Sequence, residues 1–481
     1  MTSALTDIEP WRREVGLATV AKRSEARKRL VRKQLGADAQ FAGTEGRWYS
    51  GVLDAYHGET GLPLHPDAAA ALDRAWRELM SMRDPGVTPE YADEYRDGAL
   101  YDKRQPLILR ELAARRLFGR LAAPDITVPG IAVHPDEVIV CPYSSTMLLE
   151  EAVATLARPG GVIVCPEGFY KSSSIHVEKF GLRVVSCPVA PDHAFKIDPE
   201  LLARCLGDFA SRGELCGVLL TLPGNPVVVD YSADELARIA QVLLDSGAPI
   251  ICDMAFDAMV ARHIPIAALA LPGGRLYDRV LTVTGNSKGY NAFGPCKLGA
   301  ACSGDAEWLA RIRDRLTISF QRESIHLARA IVEHTPEAYF AHNRTLMRRQ
   351  LDRARRHIDA INVRVGAKVL RPLGSSQGMF RTIAFTDDLL AAAGVESSAQ
   401  LEDLLLAAAG VDSVALDRTG SARLGVRLNV LAPRKAPGQE SPDLLDELFD
   451  RLTRLILDIR AGDTYRDVLL RLGLLETVVA Q

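Results

Sequence analysis

Short apolar, β-branched runs alternate with amphipathic stretches from about residue 136 onward. A run such as Val138-Ile139-Val140-Cys141, apolar at every position, is typical of a strand buried on both faces of a sheet. The strands predicted from these runs cover residues 137–141, 162–165, 183–189, 217–222, 249–253 and 279–283. Helices are predicted between them, for example over 147–157 and 233–246. This alternation predicts an α/β fold with a mostly parallel central sheet and helices on both faces.

Changes in the pattern divide the chain into four segments. Residues 1–45 are a basic helical N-terminal arm, and 46–120, with a helix over 66–82, are the N-terminal part of a small domain. Residues 121–330 form the large domain, and 331–481 form the C-terminal part of the small domain. Long helices are predicted within 307–361. Strands at 380–385 and 424–430 give the small domain a mixed α+β character.

The arm contains a predicted helix over 17–35 with many basic side chains: Lys22, Arg23, Arg27, Lys28, Arg29, Arg32 and Lys33. One interpretation is a segment that binds an anion or nucleic acid. The other is a solvated helix that packs on a neighbouring subunit, which we favour because charge runs are usually solvent-exposed faces.

The overall composition limits the choice of partners and compartment. The chain has 58 basic and 61 acidic residues, so its net charge favours neither nucleic acid nor an anionic membrane as a partner. Its eight cysteines are scattered through apolar runs, which indicates free, buried thiols rather than disulfides or a metal site. Without a signal peptide or an apolar run long enough to span a bilayer, the protein is predicted to be cytoplasmic.

Three polar residues follow successive predicted strands at intervals of about one β-α unit. They are Asn225 in Gly-Asn-Pro, Asp253 at the end of Ile-Ile-Cys-Asp, and Lys288 in Gly-Asn-Ser-Lys. A buried carboxylate is costly unless a cation pairs with it. Pyridoxal 5′-phosphate (PLP) needs an amine for its aldehyde, a carboxylate for its ring nitrogen and a donor for its phenolic oxygen. These three residues therefore predict a PLP site.

Together with further landmarks, the pattern resembles the fold-type-I PLP-dependent enzymes of the class I/II aminotransferase superfamily, such as aspartate aminotransferase and aminocyclopropane-carboxylate synthase. The resemblance extends from about Gly58 to the C-terminal region. It implies that Lys288 forms the Schiff base with PLP and then moves protons at the substrate α-carbon. It further implies that Asp253 binds the ring nitrogen and that Asn225 binds the phenolic oxygen. It makes residues 121–330 the PLP-binding domain.

The same resemblance assigns the remaining site residues. In Pro142-Tyr143-Ser144-Ser145-Thr146, at a strand end that opens a helix, Ser145 and Thr146 are expected to bind the cofactor phosphate. Tyr170 or Phe169 is expected to stack on the pyridine ring, a choice that the sequence leaves open. Arg427 and Gly58 are expected at the substrate.

Tyr101 is expected to reach the phosphate of a neighbouring subunit, which implies at least a homodimer.

Three positions depart from the family pattern. Where relatives usually carry a phosphate-binding Arg, this chain has Cys296, and Lys297 follows one position later. We expect Lys297 to act as a point charge there. Gly285 stands where relatives often have Ser or Thr, and Phe256 stands where many have Tyr.

The resemblance leaves the reaction open, because enzymes of this fold share an external aldimine with an L-α-amino acid and then diverge. Transamination is the main expectation. The alternative is a specialised biosynthetic enzyme that performs β/γ-elimination or replacement, for example on S-adenosylmethionine, with C–C bond formation to a nicotinamide nucleotide as one possibility. An aminotransferase-like transcription regulator is a remote alternative, because 45 residues are too few for a winged helix-turn-helix module.

Overall fold

The fold is described from a computed structural model. The structure describes residues 17–35, 49, 51–81, 105–119, 130–431 and 444–476.

The secondary structure alternates between strands and helices over most of these ranges. The helices are α1 (Leu17–Gln34), α2 (Pro66–Ser81), α3 (Leu107–Ala113), α4 (Ser145–Leu156), α5 (Ser173–Glu178), α6 (Pro199–Ser211), α7 (Ala233–Ser246), α8 (Ala306–Arg315), α9 (Arg322–His334), α10 (Glu337–Val365), α11 (Asp387–Ala393), α12 (Ser398–Ala409), α13 (Leu444–Arg460) and α14 (Tyr465–Arg471). The strands are β1 (Leu53–Asp54), β2 (Val138–Pro142), β3 (Val162–Pro166), β4 (Arg183–Cys187), β5 (Leu215–Thr221), β6 (Ile250–Asp253), β7 (Ala270–Leu271), β8 (Gly274–Arg275), β9 (Val280–Gly285), β10 (Leu298–Cys302), β11 (Leu370–Leu373), β12 (Phe380–Phe385), β13 (Val411–Asp412), β14 (Val414–Ala415) and β15 (Gly425–Asn429).

The large domain is built on a seven-stranded sheet in the order β2-β10-β9-β6-β5-β3-β4. The last five strands in that order are parallel to one another, and β10 runs antiparallel to both β2 and β9. The predicted mostly parallel sheet is thus confirmed, although β10 was not among the predicted strands. Its sequence, Leu-Gly-Ala-Ala-Cys, lacks the β-branched residues that identified the others.

Both faces of this sheet are buried, as the continuous apolar runs predict. Val138 and Val140 of β2 lie in one hydrophobic cluster, whereas Ile139 and Cys141 lie in another. Successive side chains of a strand point to opposite faces, so the two clusters are the two helix-covered sides of the sheet. All eight cysteines are free and buried.

Helices α2 and α3 pack in the large-domain core, although we expected residues 46–120 to belong to the small domain. Ala71, Ala75, Leu109 and Leu112 lie in the same cluster as one face of the sheet. Within the described part of 46–120, β1 joins the small domain instead, because it pairs in parallel with β13. Apolar positions that recur every three or four residues show that a helix has a buried face but not which core it contacts.

The small domain has a four-stranded antiparallel sheet in the order β11-β12-β15-β14. Helices α10, α12 and α13 pack with this sheet in a separate core that includes Leu351, Leu405 and Leu452. The α+β character predicted for this domain is observed. No helix of the described ranges is long and apolar enough to cross a membrane.

Helix α1 lies against its own chain, whereas we expected a solvated helix on a neighbouring subunit. Arg27 forms an ion pair with Asp403 at 2.5 Å, and Lys28 forms one with Glu402 at 3.3 Å. Asp403 and Glu402 belong to α12 and are almost completely buried. A run of basic residues in the sequence does not reveal acidic partners that lie more than 370 positions away.

Candidate active site

A cavity of about 280 Å³ lies at the carboxyl edge of the large-domain sheet. Asp253 ends β6, Asn225 follows β5, and Lys288 follows β9. Because these three strands are parallel neighbours, their ends meet at one edge, which is where open α/β sheets bind ligands. Nine of the site residues expected from the sequence line this cavity: Gly58, Ser145, Thr146, Tyr170, Asn225, Asp253, Lys288, Lys297 and Arg427. Tyr101 lies outside the described residues.

Lys288 extends its amine into the cavity. Its Nζ donates a hydrogen bond to the Gly58 carbonyl oxygen at 3.0 Å and lies 3.7 Å from the Glu59 carboxylate. Burial lowers the pKa of the Lys288 amine, and the nearby positive charges of Lys297 and Arg427 lower it further, although Glu59 acts in the opposite direction. A lowered pKa increases the fraction of neutral, nucleophilic amine.

Asp253 contributes a buried carboxyl group to the cavity lining. One of its oxygens accepts a hydrogen bond from the Ala255 amide at 3.1 Å. Burial raises the pKa of Asp253 to about 6, even though this hydrogen bond and the charge of Lys288 favour the ionised form. A cation in the cavity would therefore be stabilised by the carboxylate and would stabilise it in return.

Asn225 and Arg427 come from different domains and are joined by a hydrogen bond. Arg427 Nη1 donates to Asn225 Oδ1 at 2.8 Å, so the Asn225 amide nitrogen remains a donor for another group. Arg427 Nη2 donates to the Tyr56 carbonyl oxygen, and the guanidinium carbon lies 4.0 Å from the Phe380 ring centroid.

No carboxylate of the described residues forms an ion pair with Arg427, and its Nε has no hydrogen-bond partner. Burial lowers its pKa to about 10. Arg427 is thus a buried cation suited to an incoming carboxylate.

Residues at the N-terminus of α4 also line the cavity. The Ser144 hydroxyl accepts from the Thr146 amide at 3.0 Å and caps the helix. A Cβ on Gly299 of β10 would lie only 2.7 Å from the backbone of Ser144 and Ser145, so glycine is required for this close approach. Lys297 lines this cavity too, whereas Cys296 is a buried core residue. This arrangement offers amide groups, hydroxyls and one cation to an anion.

The sequence left two aromatic candidates for this site, and the structure places them differently. Tyr170 lines the cavity, whereas Phe169 is 1% exposed and packs in the core on one face of the sheet. Phe256 lines the cavity as well, and its ring packs edge-to-face on Phe380. Arg423, four residues before Arg427, donates to the carbonyl oxygens of Ala190 and Asp192 and does not line the cavity.

Several polar residues of the cavity wall were not among the site residues expected from the sequence, among them Tyr56, Glu59 and Lys171. Glu59 follows Gly58 and Lys171 follows Tyr170. Both could therefore have been predicted as neighbours of expected site residues. Tyr56 could not, because its position depends on the pairing of β1 with β13.

A mostly parallel seven-stranded sheet, a polar cavity at its carboxyl edge and an added α+β domain define the PLP-transferase type I fold. A solved N-succinyldiaminopimelate aminotransferase from Mycobacterium tuberculosis has this fold, with a TM-score of 0.64 at 20% identity over 94% of this chain and 100% of that one. An aspartate aminotransferase mutant from Thermus thermophilus has a TM-score of 0.68 at 17% identity over 92% and 100%.

The aminotransferase class I and II family model matches residues 83–414, and the chain belongs to this family. A probable N-succinyldiaminopimelate aminotransferase DapC of Mycobacterium tuberculosis is 30% identical over 188 residues, or 38% of this chain and 45% of the relative. An aspartate aminotransferase of Musicola paradisiaca is 27% identical over 168 residues, or 35% and 40%. The matches thus span less than half the length of these two relatives.

Proposed function

We propose that this chain is a PLP-dependent enzyme that acts on an L-α-amino acid as an aminotransferase. One observation carries the proposal: Lys288, Asp253, Asn225 and Arg427 line a single cavity, although they come from four separate strand ends or strands. The family membership and the aminotransferase names of the curated relatives support it.

The described residues fit the cofactor. Asp253 is a buried carboxyl group that forms no ion pair with them, and it would hold the protonated ring nitrogen. The Asn225 amide nitrogen would donate to the phenolic oxygen. The α4 N-terminus with Ser145, Thr146 and Lys297 would hold the phosphate, and Tyr170 would cover the ring. When bound, PLP supplies an electron sink for the bonds at the substrate α-carbon.

Two residues act on the substrate in this proposal. Arg427 binds the α-carboxylate, because it is a buried guanidinium with an unused Nε and no carboxylate partner among the described residues. This contact orients the amino group toward Lys288. The Lys288 amine, which burial biases toward its neutral form, accepts the proton from the α-carbon and later returns a proton to the product.

The oligomeric state that we propose, as from the sequence, is at least a homodimer. The compartment that we propose is the cytoplasm. The family resemblance supports the dimer through the expected role of Tyr101.

The proposal is tested on purified protein incubated with PLP. Borohydride should attach the cofactor covalently to the peptide that contains Lys288, detected by mass spectrometry. Lys288→Ala should abolish attachment, and the exposed Lys179→Ala should serve as an unaffected control. A wild-type protein that takes up PLP without modification of Lys288 would contradict the assignment.

The reaction is tested with a panel of amino acids and 2-oxo acids. Formation of the 2-oxo acid from the added amino acid is the expected result. Release of methylthioadenosine from S-adenosylmethionine, without 2-oxo acid formation, would replace transamination by elimination.

A further inference from the structure

Helix α1 connects the two domains, although it precedes the segment that matches the family model. Leu17, its first residue, lies in a hydrophobic cluster of the large domain. The Ala18 amide donates to the Glu178 carboxylate of α5 at 3.2 Å. Val31, near the other end of α1, lies in the small-domain core. The helix therefore contacts both domains.

Buried charges hold α1 in one position on the small domain. Lys28 is 4% exposed, and its Nζ donates to the Ser413 carbonyl oxygen at 2.8 Å and pairs with Glu402 and Asp412. Removing one member of such a buried set leaves an uncompensated charge, so the set resists a shift of the helix.

Glu25, in the middle of α1, links this helix to the cavity wall. Lys171 Nζ donates to Glu25 Oε1 at 2.7 Å and also contacts the Tyr56 hydroxyl. The Tyr56 hydroxyl donates to the same Glu25 oxygen. Arg418, which is fully buried, donates to Glu25 Oε1 at 3.0 Å. Tyr56 and Lys171 both line the cavity, so the carboxylate of Glu25 supports two side chains that face it.

Tyr56 extends this connection to the proposed carboxylate-binding residue. Its carbonyl oxygen accepts a hydrogen bond from Arg427 Nη2. Its ring is held by two ammonium groups, with Lys28 Nζ 3.5 Å and Lys171 Nζ 4.1 Å from the ring centroid. A chain of direct contacts thus runs from Glu25 through Tyr56 to Arg427.

We propose that Glu25 is a positioning residue of the candidate active site. From α1 it holds Lys171 and Tyr56 against the side of the cavity where Arg427 lies. In that position Lys171 contacts the amino-acid substrate. An ammonium group has three N–H donors. Two are directed at Glu25 and Tyr56, which leaves one for a ligand. The substrate contact rests on the proposed function, whereas the positioning by Glu25 does not.

The charges around Lys171 change its pKa, which can be measured. The charged and titratable groups that face Lys171 are Glu25 and Lys28 on α1, Tyr56 after β1, Arg418 before β15, and Arg427 on β15. Burial lowers the pKa of Lys171 to about 8, Glu25 opposes this shift, and Arg418 and Arg427 add to it.

For Glu25, burial alone would raise the pKa, but Arg418 and Lys171 outweigh burial and lower it. Glu25 is therefore ionised at neutral pH. Removing its charge would lower the pKa of Lys171 below about 8.

Competitive labelling of cofactor-free, full-length protein with acetic anhydride, followed by mass spectrometry, measures the titration of Lys171 directly. The wild type should show a midpoint near pH 8, and Glu25→Gln should move it lower by about one pH unit or more. Glu25→Asp should restore part of the shift. Arg27→Gln breaks another buried ion pair of α1, to Asp403, and should leave the midpoint of Lys171 unchanged.

Two results would overturn the positioning role, and neither depends on PLP. One is a wild-type Lys171 that titrates like a lysine in a model peptide, a measurement that needs no variant. The other is a folded Glu25→Gln protein with an unchanged midpoint.

The substrate contact is tested on the PLP-loaded enzyme with the most active amino acid of the panel. Lys171→Met and Glu25→Gln should each raise KM about tenfold or more at pH 7.5 with little change in kcat, and Arg27→Gln should not. An unchanged KM in Lys171→Met would refute the contact while leaving the labelling result intact. If no amino acid reacts with the wild type, the proposed function fails instead, and the labelling result still decides the role of Glu25.

Discussion

Replacing Asp253 by Asn should stabilise the cofactor-free protein and lower its affinity for PLP. The pKa of Asp253 is raised from 3.8 to about 6 because the carboxylate is buried. In the unfolded chain the group loses its proton near pH 4, whereas in the folded protein it does so near pH 6. Stability therefore falls as the pH rises through this window. The loss amounts to about 3 kcal/mol at neutral pH, at about 1.4 kcal/mol for each pKa unit.

The amide introduced by Asp253→Asn would carry no charge at any pH, so the substitution should recover most of that free energy. Urea unfolding of the cofactor-free proteins at pH 7.5 should show the variant about 1 to 3 kcal/mol more stable than the wild type. At pH 4 the difference should largely vanish, because the wild-type carboxyl is then protonated in the folded state. Asp245→Asn on the surface of α7 is the control and should change stability little at either pH.

Added PLP should reverse the order of stability at pH 7.5. A ring-nitrogen cation stabilises the carboxylate of Asp253 but gains little from an amide, so PLP should stabilise the wild type more than the variant. A variant that is less stable than the wild type at pH 7.5 without cofactor would refute the reasoning. Equal stabilisation of both proteins by PLP would refute the role of Asp253 at the ring nitrogen.

Three further substitutions test other parts of the structure. Gly299→Ala should cost about 1 to 3 kcal/mol in urea unfolding and weaken PLP binding, because its Cβ would contact the start of α4; Gly207→Ala, with open space around its Cβ, should not. Arg427→Lys should raise KM for the amino acid about tenfold or more in steady-state kinetics, because an ammonium cannot bind a carboxylate bidentately. Glu402→Ala should cost about 3 to 5 kcal/mol in thermal or urea unfolding, because it leaves Lys28 and Arg418 buried with fewer partners.

Local signals predicted much of the large domain and two strands of the small domain. Helix α7 and strand β12 have the predicted bounds. Each end of the other predicted strands lies within two residues of the observed end. The apolar runs were reliable because both faces of this sheet are buried, so the strands need no polar face. Strand β10 escaped prediction because Gly299, Ala300 and Ala301 are small residues with low strand propensity. At Gly299 the close approach of the start of α4 requires glycine.

The expectations for helix α1 and for the aromatic residue near the cofactor both concern contacts between distant parts of the chain. Helix α1 has a basic sequence, and only the fold brings Glu402 and Asp403 to it. The choice between Phe169 and Tyr170 depends on which ring enters the core. Neither outcome could be predicted from local periodicity. Periodicity shows that one face of an element is buried, but it does not show which residues cover that face.

The sequence by itself determined the α/β class and the residues Asn225, Asp253 and Lys288 as candidates for one site. Each follows a strand, and the ends of parallel strands meet at one edge whatever the details of packing. Only the tertiary structure decided the other wall of the cavity. Tyr56, Lys171 and Arg427 meet there because β1 pairs with β13 and α1 carries Glu25 to Lys171, through contacts that no local pattern encodes.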